Sequence, residues 1–255
     1  MAAVITPARP GHVKTEAEEA SLHRSVTRAL LALEVVAASD APLGLTTLAE
    51  RLGTPKSTLH SLLKAMVARR YLDIDRDGNY RLAVRTAEIG AAYLNRITPL
   101  KVARPELVTL SRELEVTAHF AVLDGTDALY LAKEDAPGVG IRLASAVGTR
   151  LPAHHTAVGK ANLAHLDGPA AKDNPAFAEE LTQIRRQGYA VDEGMTLSAV
   201  RCIAAPVFDV SSQCCGAIGI SYLREGGPPT EEAADHVVRA AARASQRLGA
   251  RAGGG

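Results

Sequence analysis

Lys56, His60 and Lys64 recur at four-residue intervals, with Ser57, Thr58 and Ser61 between them. On a helix this spacing stacks the two ammonium groups and the imidazole in one row, with short hydroxyl side chains beside them. Such a face can donate to phosphate oxygens and approach base edges, the chemistry that reading a nucleic-acid duplex requires. The segment opens at Gly53-Thr54-Pro55. Thr54 suits the N-cap and Pro55 the first helical position, and a helix start itself favours an anion. The competing reading is a solvated face on an ordinary bundle, since charged helix faces are common. A second constellation lies far along the chain. Cys202 with Asp192 and His154 or His155 is the inventory of a thiol nucleophile, its base and an orienting carboxylate. Cys202, Cys214 and Cys215 with the same histidines are also the inventory of a metal or thiol-redox sensor. Against both, no nucleophile elbow, C-x₂-C spacing or Gly-rich phosphate loop is present. No enzyme activity, metal site or cofactor is therefore expected, and buried small residues on a strand are the favoured reading of the cysteines.

The elements that must hold these groups follow from periodicity. From Ser21, a plausible cap, Val26, Ala29, Leu30, Leu33, Val36 and Ala37 recur at helical spacing. Asp40 to Gly44 turns the chain. Thr46 or Thr47 then caps a short helix, Leu48–Leu52, that stops at Gly53. The next helix buries Leu59, Leu62, Leu63, Met66 and Val67. Two helices joined by so short a turn form a helix-turn-helix. Residues 71–74 and 79–82 alternate around Asp75-Arg76-Asp77-Gly78, which reads as a β-hairpin wing. Its Arg76 and Arg81 are placed to reach an adjacent groove or backbone. Residues 85–98 are helical in pattern, and Pro99 and Pro105 bracket a boundary beyond it.

After that boundary the pattern becomes mixed. A helix at 105–114 precedes strand-like runs at 118–123, 128–133 and 140–145, with turns at Asp124-Gly125 and Pro137-Gly138. Helices are expected at 156–165 and 175–187, strands at 202–207 and 217–222, and a closing helix at 231–248. Strands before and after helices point to an antiparallel sheet with helices on its faces, so the class is α+β. The expected division is a tail at 1–20, a winged helix-turn-helix at 21–84, a linker helix at 85–98, a second domain at 99–249 and a flexible end at 250–255.

Composition is compatible with this and narrows the setting. The 255 residues suffice for two domains, and 47% are hydrophobic, so extensive burial is possible. The chain carries 29 Lys+Arg against 28 Asp+Glu, so no global positive field advertises nucleic acid. Between Ser21 and Glu88, however, ten Lys/Arg face seven Asp/Glu, a mild local basic bias. Three cysteines, two of them adjacent, do not form a disulfide framework. No signal-peptide pattern and no apolar run of roughly 18–20 residues is present, so a cytoplasmic protein without membrane association is expected.

Three stretches of the first half resemble the IclR family of bacterial transcriptional regulators: Arg28-Ala-Leu, Leu48-Ala-Glu-Arg-Leu-Gly-Thr-Pro-Lys-Ser-Thr58 and Gly78-Asn-Tyr-Arg-Leu82. Ala121-Val-Leu-Asp-Gly125, Leu151-Pro152, Gly159-Lys160, Gly188-Tyr189 and Val200-Arg-Cys-Ile-Ala-Ala-Pro-Val207 are similar to that family's effector domain, in the family's order. The resemblance implies a GAF-like second domain that binds a small effector, often a carboxylic acid. It also implies homodimers, frequently paired into tetramers, on pseudo-palindromic operators in double-stranded DNA. Carried onto this chain, the DNA contacts are Thr54, Lys56, Ser57, Thr58, His60, Ser61, Lys64, Arg76 and Arg81. Ser61 replaces the Arg or other long polar residue that the family commonly places after the recognition-helix His. The effector carboxylate is implied to meet backbone amides near Ala157 and Val158. Asp192, Cys202, Gly219 and Ser221 fall where the family has polar pocket groups, and Leu143, Leu151 and Val200 would line the wall. Gly219 stands where some members have serine, and the 167–176 segment is shorter than the family's.

Overall fold

The computed structural model describes residues 24–136, 146–166 and 174–250. These fall into two compact units that divide between Arg96 and Ile97.

The first unit contains α1 (Arg24–Ala37), α2 (Leu45–Arg51), α3 (Lys56–Ala68), a hairpin of β1 (Leu72–Ile74) and β2 (Tyr80–Leu82), and α4 (Val84–Leu94). Ala32 and Val36 of α1, Leu48 of α2, Leu59, Leu63 and Met66 of α3, and Leu72 and Tyr80 of the hairpin form one core. Gly53 takes a φ of 55°, which ends α2 in the left-handed region that glycine adopts without strain. The helix starts differ from expectation. Gly44, not a threonine, precedes α2, and Pro55, not Thr54, is the N-cap of α3. The Thr54 hydroxyl donates instead to the Leu52 carbonyl at 3.1 Å, fastening the turn between the helices. In the wing, Asp75 Oδ1 accepts from the amides of Asp77 (3.0 Å) and Asn79 (2.9 Å), and Gly78 supplies a φ of 81°. Leu43 and Tyr80 exchange backbone hydrogen bonds of 3.0 and 2.8 Å, adding a third short rung to the wing. Sequence periodicity did not show this rung, because Leu43 sits in a turn.

The second unit opens with α5 (Thr98–Leu114) and continues through β3 (Thr117–Asp124), β4 (Asp127–Glu134) and β5 (Arg150–Pro152). A 3-10 turn at Ala153–His155 leads into α6 (Ala157–Leu163), followed by α7 (Pro175–Gln187) and β6 (Ala190–Asp192). The unit ends with β7 (Val200–Phe208), β8 (Cys214–Leu223) and α8 (Thr230–Arg247). The strands form one antiparallel sheet in the order β5-β4-β3-β8-β7-β6. The fold is thus α+β, helix-turn-helix with wing followed by a six-stranded antiparallel sheet with helices. The strand expected at 140–145 lies outside the described residues.

Pro105 does not bound a helix here. It lies inside α5, where burial of Leu100, Ala103, Leu107 and Leu110 along one face carries the helix past the missing N–H. Local breaking propensity was outweighed by a continuous apolar stripe. The short edge strands β5 and β6 were also unanticipated, because three residues carry no readable alternation.

Candidate functional site

In the first unit, α3 turns Leu59, Leu63 and Met66 inward. That places Lys56, Ser57, Thr58, His60, Ser61 and Lys64 on its exposed side. Ser61 Oγ donates back to the Ser57 carbonyl at 3.3 Å, a local bond that a stronger partner can displace. Thr54 is separated from this group. It is 5% exposed, and its hydroxyl is engaged in the turn. Arg76 sits exposed at the tip of the wing. Arg81 is exposed too, but its Nη2 and Nε meet Asp73 Oδ2 at 2.7 and 3.2 Å across the hairpin. That pair, with the Ile74 amide, holds the Asp73 carboxyl below its ordinary range. Arg81 therefore stiffens the wing, and must leave or share Asp73 to touch anything else.

In the second unit, strand pairing assembles a row that the sequence scatters. Asp192 faces Cys202, Cys202 faces Ser221, and Ser221 faces Thr117, on four neighbouring strands. One step along, Ala204 faces Gly219 and Gly219 faces His119. Side chains directly opposite in a sheet share a face, so these residues point to one side. That side is covered by α6 and α7, whose Ala157, Val158, Ala161, Leu181 and Ile184 pack with Ala121, Tyr130, Ala204 and Ala217. α5 and α8 lie on the other.

The polar groups on the α6 side are largely satisfied. Asp192 Oδ1 accepts from the amides of Gly194 (3.0 Å) and Met195 (2.7 Å), and its Oδ2 from the Thr196 hydroxyl (3.3 Å). Cys202 Sγ lies 3.1 Å from Ser221 Oγ. Lys160 is buried, yet its Nζ donates to Glu180 (2.7 Å) and to the Val191 carbonyl (2.6 Å), tying α6 to α7 and β6. Thr156 caps α6 by accepting the Gly159 amide at 3.0 Å. His119 differs: it is 1% exposed, and its Nδ1 has no hydrogen-bond partner. Burial, aided by the Lys133 charge and opposed by Asp135, lowers its pKa to about 4, so the imidazole is neutral. Its ring meets Tyr130 edge-on at 5.3 Å. Burial, with the charges of Cys202 and Asp192 adding to it, raises the Tyr130 pKa, so that residue stays a phenol.

Gly219 has a packing reason. A Cβ there would stand 2.8 Å from Val158 Cγ1 and 2.9 Å from His119 Nε2. The glycine lets α6 close on the sheet, so a serine could not occupy this backbone without movement. Among the other expected effector residues, Val200 lies on β7 two residues from Cys202, and Leu151 on β5 packs at the edge of the same cluster. Leu143 lies outside the described residues. His119, Tyr130 and Thr156 escaped sequence reasoning as site residues, and Lys160 entered it only through the Gly159-Lys160 family match. His119 and Tyr130 sat inside apolar runs, and nothing local showed which distant strands would lie beside them.

The thiols are poor nucleophiles. Burial raises the pKa of Cys202 to about 11 and those of Cys214 and Cys215 to about 12. The rings of His154 and His155 meet edge-on with centroids 4.0 Å apart, and among the described residues neither ring hydrogen-bonds Cys202 or Asp192. No group of three His, Cys, Asp or Glu side chains among those residues is arranged to hold a metal ion. No helix among them is long and apolar enough to cross a membrane.

Comparison with known proteins agrees with both units. Residues 25–76 match the IclR helix-turn-helix domain. Residues 91–173 and 168–247 match the bacterial transcriptional regulator IclR C-terminal domain. The chain is 34% identical over 218 residues to the HTH-type transcriptional regulator XynR of Escherichia coli (strain K12), covering 78% of this chain and 86% of that protein. The crystal structure of Pseudomonas aeruginosa HmgR superposes with a TM-score of 0.75 at 26% identity, covering 89% of this chain and 100% of the other. An IclR homologue from Microbacterium hydrocarbonoxydans, complexed with 4-hydroxybenzoate, gives a TM-score of 0.79 at 21% identity, with 88% and 98% covered.

Proposed function

The chain belongs to the IclR family of bacterial transcriptional regulators, DNA-binding proteins with a C-terminal effector domain rather than enzymes, and on that premise we propose that it senses a small organic acid. It acts as a repressor or activator in the cytoplasm, as a homodimer or dimer of dimers on a pseudo-palindromic operator. The observation that carries the sensing half is the row of buried Asp192 and Ser221 flanking part-buried Cys202, with buried His119 beside it, on the sheet face covered by α6. An isolated structural domain has little reason to bury so many polar groups on one face. The effector carboxylate meets the amides of Ala157 and Val158, while Leu151 and Val200 contribute apolar wall. The Microbacterium homologue's 4-hydroxybenzoate is an acid of the proposed kind.

For the DNA half, Lys56, Ser57, Thr58, His60 and Lys64 of α3 enter the major groove, and Arg76 meets the backbone from the wing. Ser61 is too short to replace a long polar contact, so base choice rests on its neighbours. Thr54 contributes by setting the turn, and Arg81 by way of its pairing with Asp73. Dimerisation is supported by apolar surface in the first unit: Val26 and Leu30 on α1 and Ile89 and Tyr93 on α4 are each about half exposed. Ligand binding shifts the spacing of the paired reading heads through the 85–98 segment, to the extent that the two arrangements differ in ligand affinity.

Selection from a random duplex pool with the full-length protein tests the DNA half. An inverted repeat should emerge, with half-sites separated by about one or two helical turns. Recovery of a single unpaired site would contradict the dimeric reading. No enrichment at all would contradict specific recognition.

A further inference from the structure

On the sheet face covered by α6, hydrogen bonding is complete at Asp192 and incomplete at His119. Among the described residues, His119 Nδ1 and His165 Nε2 are buried without hydrogen-bond partners, whereas Arg201 Nε meets Glu193 Oε1 at 2.8 Å. Only His119 stands in the strand register beside Ser221, Cys202 and Asp192 on the α6 side of the sheet. The two lysines around it are paired within the chain. Lys133 meets Asp135 at 3.0 Å and Lys160 meets Glu180 at 2.7 Å. Asp192 is held by two amides and a hydroxyl. Among the described residues, neither lysine therefore stands free for a second carboxylate. What remains open is a neutral imidazole nitrogen, against the edge of the Tyr130 ring.

We propose that His119 is a specificity-determining residue of the effector site and selects monocarboxylic acids that carry a hydroxyl group. This rests on the reading that the second unit binds an organic acid. A hydroxyl can donate to an unprotonated Nδ1 or accept from a protonated one, so it satisfies the nitrogen in either neutral tautomer. A second carboxylate would enter a buried face where, among the described residues, both lysines are already paired. A site built around a hydrogen bond discriminates strongly against the analogue that lacks the group, because its own buried atom is then left unpaired.

The test is isothermal titration of the full-length protein with matched acids: 4-hydroxybenzoate against benzoate, lactate against propionate, 3-hydroxybutyrate against butyrate. Succinate serves as the control with a second carboxylate. At least one hydroxy acid is expected to bind about tenfold or more tightly than its deoxy partner, with succinate weaker than both. In His119→Phe that ratio should fall to within about twofold, while the deoxy partner keeps its affinity within about threefold. His119→Asn, smaller and still able to donate and accept, should retain part of the preference. Equal affinities for the paired acids in the natural protein overturn the proposal, whether or not the Phe variant folds. So does a ratio that survives in His119→Phe. If the deoxy acids bind and the hydroxyl adds nothing, the acid-sensing reading stands and this inference alone fails. If none of the acids binds, both fail together.

Discussion

Replacing Gly219 with alanine adds one methyl group at the tightest point between α6 and the sheet. The new carbon would lie 2.8 Å from Val158 Cγ1, 2.9 Å from His119 Nε2 and 3.1 Å from the Ile203 carbonyl oxygen. Ordinary carbon–carbon contacts are about 3.5–4.0 Å, so the neighbours must retreat by several tenths of an ångström. None can do so freely. Val158 and His119 are each 1% exposed, and the third contact is strand backbone. Overpacking of this kind costs about 1–3 kcal/mol. At about 2–4 °C per kcal/mol for a unit of this size, the melting temperature should fall by about 2–12 °C. Scanning calorimetry of the purified variant reads this directly, and the loss should be partly recovered by adding Val158→Ala, which removes the nearest methyl. A Gly219→Ala protein that melts within about 1 °C of the parent would refute the argument that glycine is there for close packing. It would return the position to a pocket role.

Other expectations follow from the same structure. Lys56→Ala should weaken binding to all duplex sequences and lower the slope of log K against log salt by about one, measured by fluorescence anisotropy across a salt series. A loss confined to one base position would instead make Lys56 a base reader. Glu106 is buried and accepts from Arg243 Nε (2.7 Å) and Arg247 Nη1 (2.9 Å), joining α5 to α8. Glu106→Leu should cost about 1–3 kcal/mol in urea unfolding, reduced from a fully buried pair because both arginines are half exposed. His119, neutral in the fold with its pKa lowered to about 4, stabilises fully above about pH 6.5. That contribution, up to roughly 3 kcal/mol, is lost as pH falls toward 4, so His119→Asn should flatten the acid limb of stability against pH. The part-buried thiols act at the opposite end. Their raised pKa values make stability fall as pH rises from about 9 toward 11–12, and Ellman's reagent should label Cys202 slowly at pH 8 until the protein is unfolded.

The legible part of this molecule was the part whose signals are local. Gly53-Thr54-Pro55, the period of Leu59, Leu63 and Met66, and the Asp75–Gly78 turn each act within a few residues, and together they locate the reading helix and its wing. Pro105 shows where local reasoning fails. Its preference to end a helix was overridden by an apolar stripe buried against the rest of the unit. The face proposed for the effector was legible only through family resemblance, because it is made by strand pairing across about a hundred residues. His119 and Gly219 touch only when β3 and β8 are placed side by side. Nothing near either residue announces that contact. The same pairing changes the meaning of Gly219, from a missing hydroxyl to a required absence of side chain.

The central claim is that acid binding in the second unit changes how tightly the first unit holds DNA. The direct measurement is the affinity of the full-length protein for its selected operator, by fluorescence anisotropy at fixed salt, with and without a saturating acid that binds it. The account predicts a change of about fivefold or more, matched by an equal change in acid affinity when operator is present. Operator affinity that stays the same while the acid demonstrably binds would contradict it.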